Sequence, residues 1–198
     1  LGYRGLTKID PESDRNQRSV DVELAYERAI DAILAEQPDL VVHAGDVFHH
    51  TRPTWHALRV FVRQTRRISA AGIPMVIIAG NHDTPRLRTD GTAYSVLELA
   101  LPEIDFITGF EEESRWFEQL GVQVVGIPHG AMAMTVYDPI VTVKPGARNL
   151  LLLHGMVPGL ADIAHYEPGS QEIAAGLLDP RFDYIALGHY HVYSQQRH

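Results

Sequence analysis

Four apolar runs in this sequence stop on the same kind of punctuation. Leu40-Val41-Val42 breaks into His43-Ala44-Gly45-Asp46, and Ile73–Ala79 breaks into Gly80-Asn81-His82-Asp83. Asn149–Leu153 breaks into His154-Gly155, and Tyr184–Leu187 into Gly188-His189-Tyr190-His191. The runs are apolar without alternation, as strands buried on both faces are. Amphipathic stretches lie between them. Val22, Ala25, Ala29, Ile30, Ile33 and Leu34 recur at helical spacing and predict a helix over 20–36, capped by Ser19 and ended by Pro38. Leu58, Phe61, Val62, Thr65 and Ile68 predict a second over 54–71, stopped by Gly72. A helix over 92–101 and strands near 104–108 and 122–127 follow, while 1–19 and 128–148 read as loop. Strands alternating with helices predict an α/β fold, with β-sheets flanked by helices.

In an α/β sheet, ligands bind beyond the C-terminal ends of the strands, where glycine lets the backbone turn sharply. Four polar motifs at that one structural position can therefore meet. Any one of these histidines alone would ordinarily be a capping or half-buried structural residue. Together they offer one carboxylate (Asp46), one amide oxygen (Asn81) and the imidazoles of His82, His154, His189 and His191. The chain has no cysteine, which excludes disulfides, thiolate metal sites and iron–sulfur clusters. Hard and borderline ligands of this kind suit Mn, Fe, Zn or Co at a centre that hydrolyses rather than transfers electrons.

At 198 residues the chain suffices for one domain with a sizeable core. No apolar run approaches the roughly 18 residues that span a bilayer, and residues 1–20 lack the apolar core of a signal peptide. A cytoplasmic protein without membrane contact is the expectation. The net charge of −8 argues against a nucleic-acid binder. Its distribution argues back. From Val47 to His82 there is no acidic residue, but there are Arg52, Arg59, Arg63, Arg66 and Arg67.

Gly45-Asp46, Gly80-Asn81-His82-Asp83, His154 and Gly188-His189-Tyr190-His191 together resemble the calcineurin-like metallophosphoesterases. More narrowly, the chain resembles the SbcD-type DNA-repair exonucleases over almost its whole length. The narrower likeness rests on Leu1-Gly2-Tyr3, on Asp46-Val47-Phe48-His49 followed by Arg52-Pro53, and on the run from Phe182 to His189. The resemblance implies two divalent cations, most simply Mn, bridged by Asp46. One would be held by Asp46, Asn81, His154 and His189. The other would be held by Asp46, His191 and an Asp-x-His pair. His82 would face the scissile phosphate, oriented by Asp83, and His49 would sit near that phosphate. DNA, an SbcC-like ATPase and a second nuclease subunit in a homodimer are the implied partners. No Asp-x-His precedes a helix here, and the family continues past Gly-His-x-His. Residues 1–198 are therefore expected to be a metallophosphoesterase (nuclease) domain truncated at both ends, lacking its first strand and C-terminal part.

On this reading the metals activate water and neutralise charge on phosphorus, while His82 protonates the leaving oxygen, its tautomer fixed by Asp83. Arg52, Arg59 and Arg63 would bind substrate. For Arg59, Arg63, Arg66 and Arg67 a solvated helix face competes with a phosphate-tracking surface. Trp55 and Trp116 read as packing residues, and Glu111-Glu112-Glu113 as a solvated turn. His43, His50, His56, His129 and His165 receive no role, with His129 the one to check against the site. Three functions stay open: a DNA exo- or endonuclease, a metallophosphoesterase of small phosphoesters, and a metal-poor binding protein.

Overall fold

The computed structural model describes residues 1–2, 5, 7–85, 87–134, 142–157, 171–191 and 193–195, and of Arg88 the backbone only. Tyr3 and His165 lie outside the described residues.

The N-terminal segment is more ordered than expected. Strands β1 (Ile9–Asp10) and β2 (Arg15–Asn16) pair antiparallel across a turn tied by Asp10, whose carboxylate accepts from the Ser13 amide at 2.9 Å. Helix α1 (Gln17–Glu36) starts directly after β2, and its cap is Asn16 rather than Ser19. The Asn16 side chain accepts from the Ser19 N–H at 3.2 Å, satisfying one amide of the first turn and setting the start three residues earlier. The next elements are β3 (Val41–His43), α2 (Trp55–Ala70), β4 (Met75–Ile78), α3 (Tyr94–Ala100) and β5 (Ile104–Ile107). Thr54 caps α2 through the Ala57 amide at 3.2 Å, and Gly72, at φ +74°, turns the chain out of it. Then come β6 (Glu113–Phe117), β7 (Val122–Ile127), the short α4 (His129–Met132), β8 (Arg148–His154) and β9 (Tyr184–Gly188).

The expected α/β sandwich forms from two sheets. One is parallel, in the order β3-β4-β5; the other runs β6-β7-β8-β9, with only β6 antiparallel. Along β4 the side chains alternate between two buried environments. Met75 and Ile77 pack with Ile30 of α1 and Phe61 and Ile68 of α2, whereas Val76 and Ile78 meet Val124, Leu152 and Ala186 of the opposite sheet. On β8, Leu151 and Leu153 face outward onto Ala131, Met132, Val157 and Phe182. Both faces of each central strand are covered, which is why the runs carry no polar alternation.

Two expectations need correction here. Glu113 opens β6 instead of belonging to a turn, and its carboxylate meets Arg115 at 2.9 Å. Residues 129–132 are helical rather than irregular. No helix among the described residues is long and apolar enough to cross a membrane.

Candidate metal centre

The C-terminal ends of β3, β4, β8 and β9 meet at one edge of the sandwich. After β3 the backbone turns through Gly45 at φ +92° and Asp46 at φ +56°. For a residue with a Cβ this left-handed conformation costs about 1 kcal/mol or more, and it aims the carboxylate back across the strand ends. Asp46 Oδ1 accepts from the His82 N–H at 3.0 Å, and Oδ2 lies 3.1 Å from His154 Nε2. Gly80 makes this approach possible, because a Cβ there would collide with the Asp46 carboxylate.

His154 closes β8 with a side chain only 1% exposed. Its Nδ1 lies 2.7 Å from the Ala44 carbonyl oxygen, so Nδ1–H donates and Nε2 presents a lone pair in the neutral ring. That nitrogen also lies 3.0 Å from Asn81 Oδ1. Three electron-pair donors from three strand ends thus point at one another, an arrangement that calls for a positive charge among them, a proton or a cation. His189 adds a fourth. It sits at φ +113°, its ring 5.4 Å from that of His154, and its ligating atom lies with those of Asp46 and His154 inside a 4.8 Å cluster. Tyr190 anchors this turn by accepting from the Val157 N–H at 2.9 Å. Two imidazoles, a carboxylate and an amide oxygen fit a divalent cation of borderline hardness. Burial works to raise the Asp46 carboxyl, but the His154 hydrogen bond and charge, with the His82 N–H, outweigh it and hold the group below its ordinary range.

Asp83 has a different task from the one expected. Its buried carboxylate takes the Val47 and Phe48 N–H groups, each at 3.0 Å, the Gly80 N–H at 3.3 Å and the Tyr94 hydroxyl at 2.8 Å. The first two bonds tie the loop after β3 to the loop after β4, the third closes the latter loop on itself, and the fourth fastens it to α3. Burial and the nearby Asp46 charge nevertheless push its carboxyl upward. His82 takes its orientation from the His49 carbonyl oxygen, 2.9 Å from Nδ1. The His49 and His82 rings stack at 5.0 Å and 23°. Tyr94 was not foreseen, and a lone tyrosine at a helix start carries no sequence signal for such a bond.

His129 does reach the site. It is 8% exposed, its N–H donates to the Ala79 carbonyl at 3.0 Å, and its ring feels the charges of His154, Asp46, His189 and His82. Burial first, then the His154 charge, pulls its pKa down to about 4. Signals for it were the strand end and the preceding Pro128. His191 is not brought in: it stands exposed, outside the described cluster of ligating groups.

Arg52, Arg59 and Arg63 are exposed, the first in the loop before α2 and the others along that helix. Arg67 belongs elsewhere, its guanidinium 2.6 Å from Asp31 of α1. Trp55 is not a packing residue. It is 87% exposed, because the buried stripe of α2 runs through Ala57, Val60, Phe61, Gln64, Thr65 and Ile68 and leaves position 55 outside. Trp116 is 42% exposed, with the Lys144 ammonium 4.2 Å from its ring centre.

Residues 24–193 match the family described as calcineurin-like phosphoesterase. The DNA double-strand break repair protein Mre11 of Saccharolobus solfataricus is 30% identical over 178 residues, covering 88% of this chain and 44% of the relative. The protein of that name from Thermoplasma acidophilum is 29% identical over 202 residues, covering 100% of this chain and 50% of the relative. The protein of that name from Haloferax volcanii is 40% identical over 86 residues, covering 43% of this chain and 18% of the relative. The chain spans about half the length of the first two of these relatives.

Proposed function

The chain belongs to the calcineurin-like phosphoesterase family, and we propose that it hydrolyses the phosphodiester bonds of DNA in break repair and end processing. The observation that carries this reading is the convergence of Asp46, Asn81, His154 and His189 at four strand ends, in a chain whose relatives are named for DNA double-strand break repair.

Asp46, Asn81, His154 and His189 would hold one divalent cation; a second, shared through Asp46, would require the exposed His191 to turn in toward the centre. Mn is the ion we propose. When bound, such cations supply Lewis acidity toward the phosphoryl oxygens and lower the pKa of water into the neutral range. The remaining steps belong to side chains. Cleavage of the P–O bond leaves an alkoxide that needs a proton. With Nδ1–H given to the His49 carbonyl, the proton His82 delivers is that of Nε2. His49, stacked on His82, holds that ring and meets the phosphate. Asp83 acts through the backbone, fixing the loops that present Asp46 and His82. Arg52, Arg59 and Arg63 would contact strand phosphates away from the reacting bond. An SbcC-like ATPase and a second copy of the subunit complete the proposed assembly, in the cytoplasm.

The test is cleavage of end-labelled linear duplex beside bis(p-nitrophenyl) phosphate, with and without Mn. Both should be hydrolysed with Mn and spared after chelation. Dye cleavage with intact DNA would assign small phosphoesters instead. DNA binding with no turnover in any divalent metal would make the chain a binding protein.

A further inference from the structure

We propose that Trp55, with Arg52 and Arg59 beside it, is a stacking platform for an unpaired base of the strand being cleaved. This rests on the DNA reading above and specifies the form of DNA taken: a single-stranded or frayed end. Trp55 is the first residue of α2 and is 87% exposed. Arg59 and Arg63 follow at steps of four, so all three share one face of the helix, and Arg52 is exposed in the loop that leads into it. Arg59 Nη2 reaches His56 Nδ1 at 3.4 Å, and among the described residues no carboxylate pairs with Arg52, Arg59 or Arg63. The patch therefore combines an open aromatic face with uncompensated positive charge.

Position links it to the metal centre. Trp55 comes six positions after His49, whose ring stacks on His82. Even fully extended, that segment spans about 20 Å, within one helical turn of duplex at about 34 Å. The indole therefore lies within about 20 Å of the His49–His82 pair, a distance that a few nucleotides of single strand can bridge. Charge selects the occupant. A second copy docked face to face would bring two arginine rows together, whereas a polynucleotide offers phosphates to the guanidinium groups and a π-face to the indole. Bases inside an intact duplex are already stacked on each other, so only an unpaired base gains.

Tryptophan emission reads this directly when Trp116, at the far end of the sheets, is changed to Phe. The chain is titrated under chelating conditions with short oligo(dT), with a blunt duplex of equal length and with inorganic polyphosphate. Oligo(dT) should quench the emission, and polyphosphate should bind without quenching. Trp55→Ala should weaken oligo(dT) binding about tenfold, the usual size of a lost stacking residue, and Trp55→Phe should keep most of it. Unchanged oligo(dT) affinity in Trp55→Ala, or equal quenching by polyphosphate, would overturn the platform while leaving the DNA reading in place. Emission that shifts on dilution alone, with halved mass, would assign the patch to a second copy and overturn it too. Failure of the parent chain to bind DNA in any form would overturn both proposals together.

Discussion

The Ala44 carbonyl oxygen and His154 Nδ1 lie 2.7 Å apart, and this one bond ties the end of β3 in the first sheet to the end of β8 in the second. It also decides which imidazole nitrogen faces the centre. The bond needs Gly188 to be a glycine, since a Cβ there would strike the Ala44 carbonyl and sit 2.7 Å from His154 Nδ1.

Gly188→Ala should accordingly disturb metal binding before it disturbs the fold. We expect Mn affinity to fall tenfold or more and stability to drop by about 1–3 kcal/mol, the usual cost of overpacking. Calorimetric Mn titration and a urea melt measure the two. Parental Mn affinity in a stably folded variant would mean that the bond does not set the ring.

Asp46→Ala should be the most damaging single change to metal content, because it removes the one carboxylate of the donor cluster, whose Oδ2 lies 3.1 Å from His154 Nε2. Metal analysis after equilibrium dialysis should find the protein empty. Retention of two ions per chain would sink the bridging role.

His82→Ala separates proton delivery from metal binding. Its backbone N–H still serves Asp46, so metal content should hold while turnover falls about 100-fold, a typical loss for an acid–base group. Parallel loss of metal and activity would recast His82 as a ligand.

His129 makes the metal-free fold acid-sensitive. Its pKa is about 4 in the folded chain, against an ordinary 6.5. Between those values the unfolded chain takes up a proton that the native chain refuses. The contribution is complete above pH 6.5, declines as pH falls, and is gone near pH 4, up to about 3 kcal/mol in all. Urea unfolding at pH 7.5 and 4.5 should show the loss, and His129→Gln should shrink it. The same loss in the variant would clear His129.

What could be read in advance follows from where side chains go. Val122–Ile127 is buried along most of its length and is visible as an apolar run, and its bounds agree with the strand found. Strand β6 escaped notice because it is an edge strand with one wet face, and its large apolar residues, Trp116 and Phe117, come only at its end. The punctuation of four strands pointed to Asp46, Asn81, His154 and His189, whose strand ends topology brings together, but equally to His191, which stands exposed outside the cluster. Hydrogen-bond direction was not legible. That Asp83 serves three amides and a tyrosine, while His82 leans on a carbonyl, depends on loop paths that pattern does not encode.

Two donors of the centre lie far apart in sequence, Asp46 and His189 being separated by roughly 140 residues. At about 5–20 residues per second, a ribosome needs roughly ten to thirty seconds to deliver the second after the first. Until β9 has emerged and docked beside β8, Asp46 has no His189 to face. Synthesis itself therefore sets an order: Asp46, Asn81 and His154 can gather first, and the donor set stays one imidazole short until residue 189 has left the ribosome.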